Sequence, residues 1–153
     1  KNYVNLKLLI LGKGEKYFEL SNLTKKLNLE DKINFLGQVN TPYKYIKNSL
    51  CVIVSSLWED PGFVMIESSA LKKIVINSDC QSGPKEFFKN GKNGFLFKNN
   101  NKKSLIDTFE RFMNSRSSKV KQYLKKNYLK SQEYSEISHS KILKKILEEH
   151  EKK

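Results

Sequence analysis

Arginine is nearly missing from this chain. Only Arg111 and Arg116 stand among its 29 basic residues. The forked guanidinium groups that read phosphates and base edges are therefore scarce. This argues against the nucleic-acid role that a formal net charge of +13 would otherwise invite. The lysines are scattered through the whole chain among many Asn and Ile, and a basic surface resting on an anionic membrane fits them better. Cysteine is as sparse. Cys51 lies in "LCVIVSS" and Cys80 in "NSDCQSG", neither in a CxxC pair nor beside a histidine. Two unrelated thiols exclude a metal site and suit a reducing compartment. The two histidines, His139 and His150, fall in the charged C-terminal region, where they read as solvated residues and not as catalytic bases.

Long apolar runs are also lacking. None approaches the roughly 18 residues of a membrane span, so the expected location is cytoplasmic, at most peripheral at the inner face of the plasma membrane. The opening "KNYVNLKLLILG" has no Met and no signal-peptide layout. The expectation is a fragment of a longer chain.

What is present is a set of dense apolar blocks in 153 residues, enough for one core. Leu6–Leu11 reads as a buried strand ended by "GKG". Tyr17, Phe18, Leu20, Leu23 and Leu27 recur at helical spacing. Ile33–Leu36 is a second strand, stopped by Gly37. Pro42 opens a helix that carries Tyr43, Ile46 and Leu50. Cys51–Val54 is a third strand, purely apolar and hence expected to be covered on both faces. Helix follows over Val64–Leu71, strand over Ile74–Asn77, a short helix from Pro84, a strand at "GFLF" and a helix over Ser104–Met113. Leu105, Ile106, Phe109 and Phe112 of that last helix are expected to face inward.

Strands alternating with helices, joined by connections too long for hairpins, predict a mainly parallel, Rossmann-like sheet flanked by helices. Such sheets bind ligands beyond the carboxyl ends of their strands. Here those ends carry Gly12-Lys13-Gly14, Gly37-Gln38, Ser55 to Gly62 and Ser78 to Pro84, so the expected site is spread over these loops. Residues 1–113 are read as this domain. Residues 114–153 are read as amphipathic helices that pack on the same domain or on a missing one, with a basic membrane-contacting surface as the sharper alternative.

Within "SSLWEDPGFVMIESSA", Glu59 and Glu67 flank the Asp60-Pro61-Gly62 turn. The turn releases a helix whose first free amides belong to Gly62, Phe63 and Val64. With the helix dipole they suit a phosphate. Glu67 lies about one turn further on, roughly 6 Å along the axis, where a carboxylate can accept both hydroxyl hydrogens of a ribose diol. The plainer reading makes Glu59 and Asp60 charges that favour the helix dipole, worth about 0.3–1 kcal/mol.

In order along the chain, "LLILGKGE", "INFLGQV", "SSLWEDPGFVMIES" and "SGPKEFFKNGKNGFLF" resemble the donor-nucleotide half of a retaining glycosyltransferase of the GT-B fold, family 4, over about residues 4–113. The resemblance implies that Glu59, first of the family's paired glutamates, contacts donor-sugar hydroxyls and supports the transition state, and that Glu67 holds the ribose. It implies that the amides of Phe63 and Val64 meet the diphosphate, with Gly62 in their turn. Gly37, Gln38 and Val39 would address the base through their backbone, and Gly12 and Gly14 would let the nucleotide approach. Gly83, Pro84 and Glu86 would shape the site floor. The spellings are similar to bacterial enzymes that build surface polysaccharide or lipid-linked glycans, with a UDP-sugar as donor and GDP as the second choice. A hexose or N-acetylhexosamine would be transferred with retention and without cofactor or metal. The family's basic pair that grips the diphosphate would lie upstream of Leu6, outside this chain, and Lys13 reads as solvated and not as its substitute. The acceptor domain would be missing as well, leaving this polypeptide a weak nucleotide binder that transfers no sugar.

Three rivals stand beside this reading. An NAD-binding domain would need a third glycine near Tyr17 and an acid ending the second strand. A sugar-nucleotide epimerase of related fold would need cleft acids or histidines that do not stand out here. A non-enzymatic basic module for membranes or nucleic acid would not need the glutamates at all.

Overall fold

The computed structural model of the chain describes residues 5–150. They divide into two compact units, 1–42 and 43–153.

The first unit holds β1 (Leu8–Leu11), α1 (Tyr17–Lys26) and β2 (Ile33–Gly37). The strands pair in parallel, Leu8 opposite Ile33 and Leu11 opposite Gly37, with a register shift after Ile10. α1 makes the crossover that parallel strands require and packs Tyr17 edge-on to Phe35 of β2 at 5.5 Å. It stops in a Schellman motif. Asn28 takes φ 52°, and the amides of Asn28 and Leu29 bond the carbonyls of Lys25 and Thr24 at 3.0 and 3.1 Å. The strand expected over Leu6–Leu11 begins two residues later and is not buried, since Leu8 and Leu9 are 45% and 41% exposed. The apolar residues of α1 are exposed too, and Thr24 is its buried residue. One crossover helix on two strands has too few side chains to close a core around either.

The second unit runs α2 (Tyr43–Asn48), β3 (Val52–Val54), α3 (Phe63–Ala70), β4 (Val75–Ser78), α4 (Pro84–Phe87), β5 (Phe95–Phe97), α5 (Lys102–Met113), α6 (Ser117–Gln132) and α7 (Glu136–His150). Its sheet has the order β3-β4-β5, parallel throughout. Each strand-to-strand connection passes through a helix, as the alternation predicts. The ladders form a two-stranded sheet in the first unit and a three-stranded one in the second, not one continuous five-stranded sheet.

The centre of the second unit is β4, buried at every residue. Its period of two sorts the core into two layers. Val75 points into a cluster with Val54, Met65, Ile66, Phe87 and Phe88. Ile74 and Ile76 point into the opposite one with Phe95, Phe97, Phe112 and Tyr123. The backbone of Gly94 lies so close to the Phe88 ring that any Cβ there would collide with it. Two sequence expectations fail at the edges. Ile53 of β3 is 39% exposed because β3 is an edge strand, and Ile106 of α5 turns outward while Phe112 takes the core. α5 is fixed at its start by Asn101, whose side chain accepts the Ser104 amide at 2.8 Å, while the Ser104 hydroxyl accepts the Lys98 amide at 2.8 Å. α7 has no buried residue, so the apolar stripe expected on it is exposed.

Phe88 is fully buried against both its ring neighbour Phe87 and Gly94. Phe88→Ala is therefore expected to cost about 3–5 kcal/mol of unfolding free energy, read as a lowered urea midpoint. Ile53→Ala at the exposed edge should cost well under half of that.

Candidate functional site

β3 and β4 end side by side, and the loops that follow them build one corner of the second unit. Ser78, the last residue of β4 and fully buried, donates its hydroxyl to the Ser56 carbonyl at 2.6 Å. Ser56 in turn donates its own hydroxyl to Oε1 of Glu59 at 2.6 Å. Asn99, beyond β5, donates through Nδ2 to the Leu57 carbonyl at 2.8 Å, and its amide bonds Oδ1 of Asp79 at 2.7 Å. The carboxylate of Glu59 is thus braced from the buried strand outward through two serines.

The chain then turns through a cis Asp60–Pro61 peptide into Gly62, which caps α3 with φ 89°. Only glycine takes such a conformation without strain. Oε2 of Glu59 lies 3.4 Å from where a Cβ on Gly62 would sit, so the carboxylate stands beside the helix tip. The Gly62 carbonyl accepts the amides of Met65 and Ile66 at 3.1 and 3.2 Å. Among the described residues, the amides of Phe63 and Val64 have no acceptor in the protein, and both residues are exposed. Glu67 follows on the same helix, half-buried, and its carboxylate makes no hydrogen bond or ion pair among the described residues.

The next loop closes against this one. Gly83, at φ 24°, presses on the backbone of Pro61 so tightly that a Cβ would collide with the Pro61 carbonyl oxygen. Pro84 begins α4 directly after it and is buried. Glu59, Gly62, Phe63, Val64, Gly83 and Pro84 are therefore brought together, with Glu67 on the helix they open. Glu86 is placed differently. It is exposed, and its charge acts on Lys130 and Tyr134, so it belongs to the surface that α4 shares with the end of α6.

In the first unit, Gly12 and Gly37 meet where β1 and β2 end. The Gly12 amide donates to the Gly37 carbonyl at 2.7 Å, with φ of 111° and 63°. A Cβ at Gly12, Gly14 or Gly37 would touch nothing, so the backbone there is open to approach. Gln38 is exposed and Val39 half-buried just after the strand.

The serine relay and Asn99 escaped the sequence reading. Their only trace is a polar residue ending each apolar strand, "VIVSS" and "VINSD". The cysteines take no part. Burial pushes the Cys51 thiol up to about 11, which keeps it protonated and unreactive near neutral pH, and Cys80 is buried. Among the described residues no group of three His, Cys, Asp or Glu is placed to hold a metal ion.

Gly83→Ala tests the contact between the two loops. The added methyl has nowhere to go, and displacing Pro61 is expected to cost about 1–3 kcal/mol beyond the backbone strain. Gly91→Ala also falls at a positive φ, 84° against 24°, but with open space around it. It should cost only the left-handed penalty of about 1–2 kcal/mol, and urea melts of the two variants measure the difference.

The chain is similar to known proteins in sequence and in fold. An archaeal protein named as the uncharacterized glycosyltransferase MJ1059 of Methanocaldococcus jannaschii is 43% identical over 86 residues, covering 56% of this chain and 21% of that protein. The N-acetylgalactosamine-N,N'-diacetylbacillosaminyl-diphospho-undecaprenol 4-alpha-N-acetylgalactosaminyltransferase of Campylobacter jejuni is 39% identical over 102 residues, 67% of this chain and 28% of its own. Among solved structures, TarM of S. aureus in complex with fondaparinux, alpha-GlcNAc-glycerol and UDP superposes with a TM-score of 0.78. Its identity is 28%, over 93% of this chain and 28% of that one. Anabaena HepE in complex with UDP superposes with a TM-score of 0.81 at 19% identity, over 94% and 41% of the two chains, and so shares the fold. The chain spans about a fifth to a third of the length of the two curated relatives it is compared with here. Parallel strands flanked by helices in the manner of half a GT-B fold are thus what the structure has. The profile of the family described as glycosyl transferases group 1 matches residues 1–130. The NAD-binding and epimerase readings end with it, and the chain belongs to the glycosyl transferases group 1 family.

Proposed function

We propose that this chain binds the nucleotide-sugar donor of a retaining, metal-independent glycosyltransferase, a UDP-sugar carrying a hexose or N-acetylhexosamine, in the synthesis of bacterial surface polysaccharide or lipid-linked glycan. One observation carries the proposal. Two amides without a protein acceptor, on the exposed residues Phe63 and Val64, open a helix on which the carboxylate of Glu67 has no protein partner among the described residues. That carboxylate is free to accept from the donors of a ligand. A ribose diol supplies two, and the amides with the helix dipole accept the diphosphate. The relatives' names support the glycan side of the reading, and UDP is bound in the TarM and HepE complexes.

Catalysis then follows from charge. The departing nucleoside diphosphate gains negative charge as the glycosidic bond breaks. Preorganised amides stabilise that charge without reorganising. Glu59, braced by Ser56, orients the donor-sugar hydroxyls and stabilises the positive, oxocarbenium-like ring while the acceptor hydroxyl attacks from the same face and gives its proton to the departing diphosphate oxygen. It is not assigned as a nucleophile. The resemblance alone assigns the backbone of Gly12, Gly14, Gly37, Gln38 and Val39 to the nucleotide, and Gly83 and Pro84 set the floor beneath the turn. Glu86 enters this reading only through the resemblance. No cofactor is needed, and the acceptor domain belongs to the part of the relatives that this chain does not span. The 153 residues alone should bind UDP and transfer no sugar.

Calorimetric titration with UDP and GDP tests this. UDP is expected to bind, and Glu67→Ala to weaken it about ten- to a hundredfold, the worth of hydrogen bonds to a charged group. Glu110→Ala on the exposed face of α5 should change nothing. Equal affinity in the Glu67 variant, or sugar transfer by the 153 residues alone, would overturn the assignment.

A membrane-peripheral, cytoplasmic placement is part of the same proposal, and α6 supports it. No helix described here is long and apolar enough to cross a membrane. α6 carries Lys119, Lys121, Lys125, Lys126 and Lys130 and no carboxylate over its length. Lys121 and Lys125 border a shallow cleft of about 300 Å³ with Leu124, Tyr128 and Lys72. Lys72, in the left-handed conformation at φ 56°, lays its ammonium over the Tyr128 ring at 4.7 Å. The proposed partner is the anionic headgroup layer of a bilayer. Each lysine at such a surface contributes about 1 kcal/mol. Replacing Lys72, Lys121 and Lys125 by Gln should therefore reduce co-sedimentation with phosphatidylglycerol vesicles by roughly a hundredfold. Equal binding to neutral vesicles, or preference for double-stranded RNA, would refute the membrane partner.

A further inference from the structure

Trp58 is the only tryptophan of the chain. It is 67% exposed, directly before Glu59, in a loop that is anything but loose. The residues on either side are tied down, Ser56 through its carbonyl to Ser78, Leu57 through its carbonyl to Asn99, and Glu59 through its carboxylate to Ser56. A free loop would fold so large an apolar ring against the core. These bonds fix the backbone and leave the indole in solvent. Leu57, Phe63 and Val64 of the same stretch are exposed as well, and several large apolar side chains held out beside a concentration of polar groups mark a binding surface.

We infer that Trp58 is a stacking platform for a pyranose ring and fixes the sugar half of the donor. This rests on the donor-binding reading above. The chemistry of a hexose is two-sided: a face of C–H groups with slight positive charge, and a rim of hydroxyls. The indole face is negative and takes the C–H side. The neighbouring carboxylate of Glu59 accepts from the rim. The two residues are consecutive in the loop that Ser56, Ser78 and Asn99 hold, and on this inference one pyranose meets both. The diphosphate attached to that ring has its hydrogen-bond donors four and five residues beyond Glu59, in the amides of Phe63 and Val64. A planar base would stack on the indole as well, but its N–H donors lie along one edge, whereas a hexose carries hydroxyls all round its rim. The pairing therefore favours the sugar over the base.

Because there is one tryptophan, fluorescence of the intact chain reports on this residue alone. UDP-glucose and UDP-N-acetylglucosamine are expected to quench and blue-shift the emission, whereas UDP, though bound by calorimetry, leaves it unchanged. Trp58→Ala should weaken the UDP-sugars about three- to tenfold and leave UDP within twofold of the parent. Trp58→Tyr should restore most of the loss, and an unchanged circular-dichroism melt would show that both variants fold. Equal emission changes with UDP and UDP-sugar, or equal loss of both ligands in Trp58→Ala, would overturn the inference while leaving the donor reading standing. Absence of any calorimetric UDP binding by the parent chain would overturn both.

Discussion

The second unit is organised by the complete burial of β4. A strand covered on both faces must have a layer of side chains above and another below, and Val75 on one side and Ile74 and Ile76 on the other provide the floor for each. Helices have to supply those layers, so each strand must leave the sheet, cross as a helix and return in parallel. That route places the loops after β3 and β4 at the same end of the sheet. The corner that holds Glu59 is thus a consequence of packing before it is a matter of chemistry. The link is literal at Ser78: the last buried residue of β4 donates the hydroxyl that holds the Ser56 carbonyl, and Ser56 holds Glu59.

The sequence posed an apparent choice between Glu59 as a charge that steadies a helix dipole and Glu59 as a ligand contact. The geometry removes the opposition. Oε2 stands beside Gly62 at the tip of α3, where a carboxylate stabilises the helix by about 0.3–1 kcal/mol. Oε1 is held by Ser56. Yet the amides of Phe63 and Val64 stay unpaired among the described residues. One anion near the tip lowers its attraction for a second, so for an anionic ligand the unpaired amides would count for more than the dipole. Direct hydrogen bonds survive the neighbouring charge, and a diffuse field does not.

Much of this was legible from the order of residues. The continuous apolar runs gave β2 to β5 within about a residue, since a run bounded by Gly, Pro or Ser has few alternatives. Pro61-Gly62 marked the start of α3, and the paired glutamates with the second loop marked the corner. Other features were hidden for physical reasons. Whether Leu8, Leu9 or Ile53 is covered depends on how many strands lie beside them, which apolar content alone does not encode. Ser56, Ser78 and Asn99 act through bonds that span 22 and 42 positions, beyond the reach of any local pattern. The seating of Gly83 on Pro61 is of the same kind, although a glycine before Pro84 hinted at it. Glu86 matched its neighbours in the motif, but α4 is a single turn, and its side chain is felt by Lys130 and Tyr134 instead.

α3 also explains why a basic surface can coexist with an anion site on so small a unit. Its two ends are opposite in character. At the start, free amides and the positive end of the dipole suit a diphosphate. At the finish, the amides of Lys72 and Lys73 close a Schellman motif on the carbonyls of Ser69 and Ser68, each at 2.9 Å, and Lys73 reaches the Ser49 carbonyl at 3.0 Å. Cations there face the negative end of the dipole, where they are favoured. An eight-residue helix is about 12 Å long, more than a Debye length at physiological salt. Lys72 and Lys73 therefore lie more than a Debye length along the axis from the amides of Phe63 and Val64.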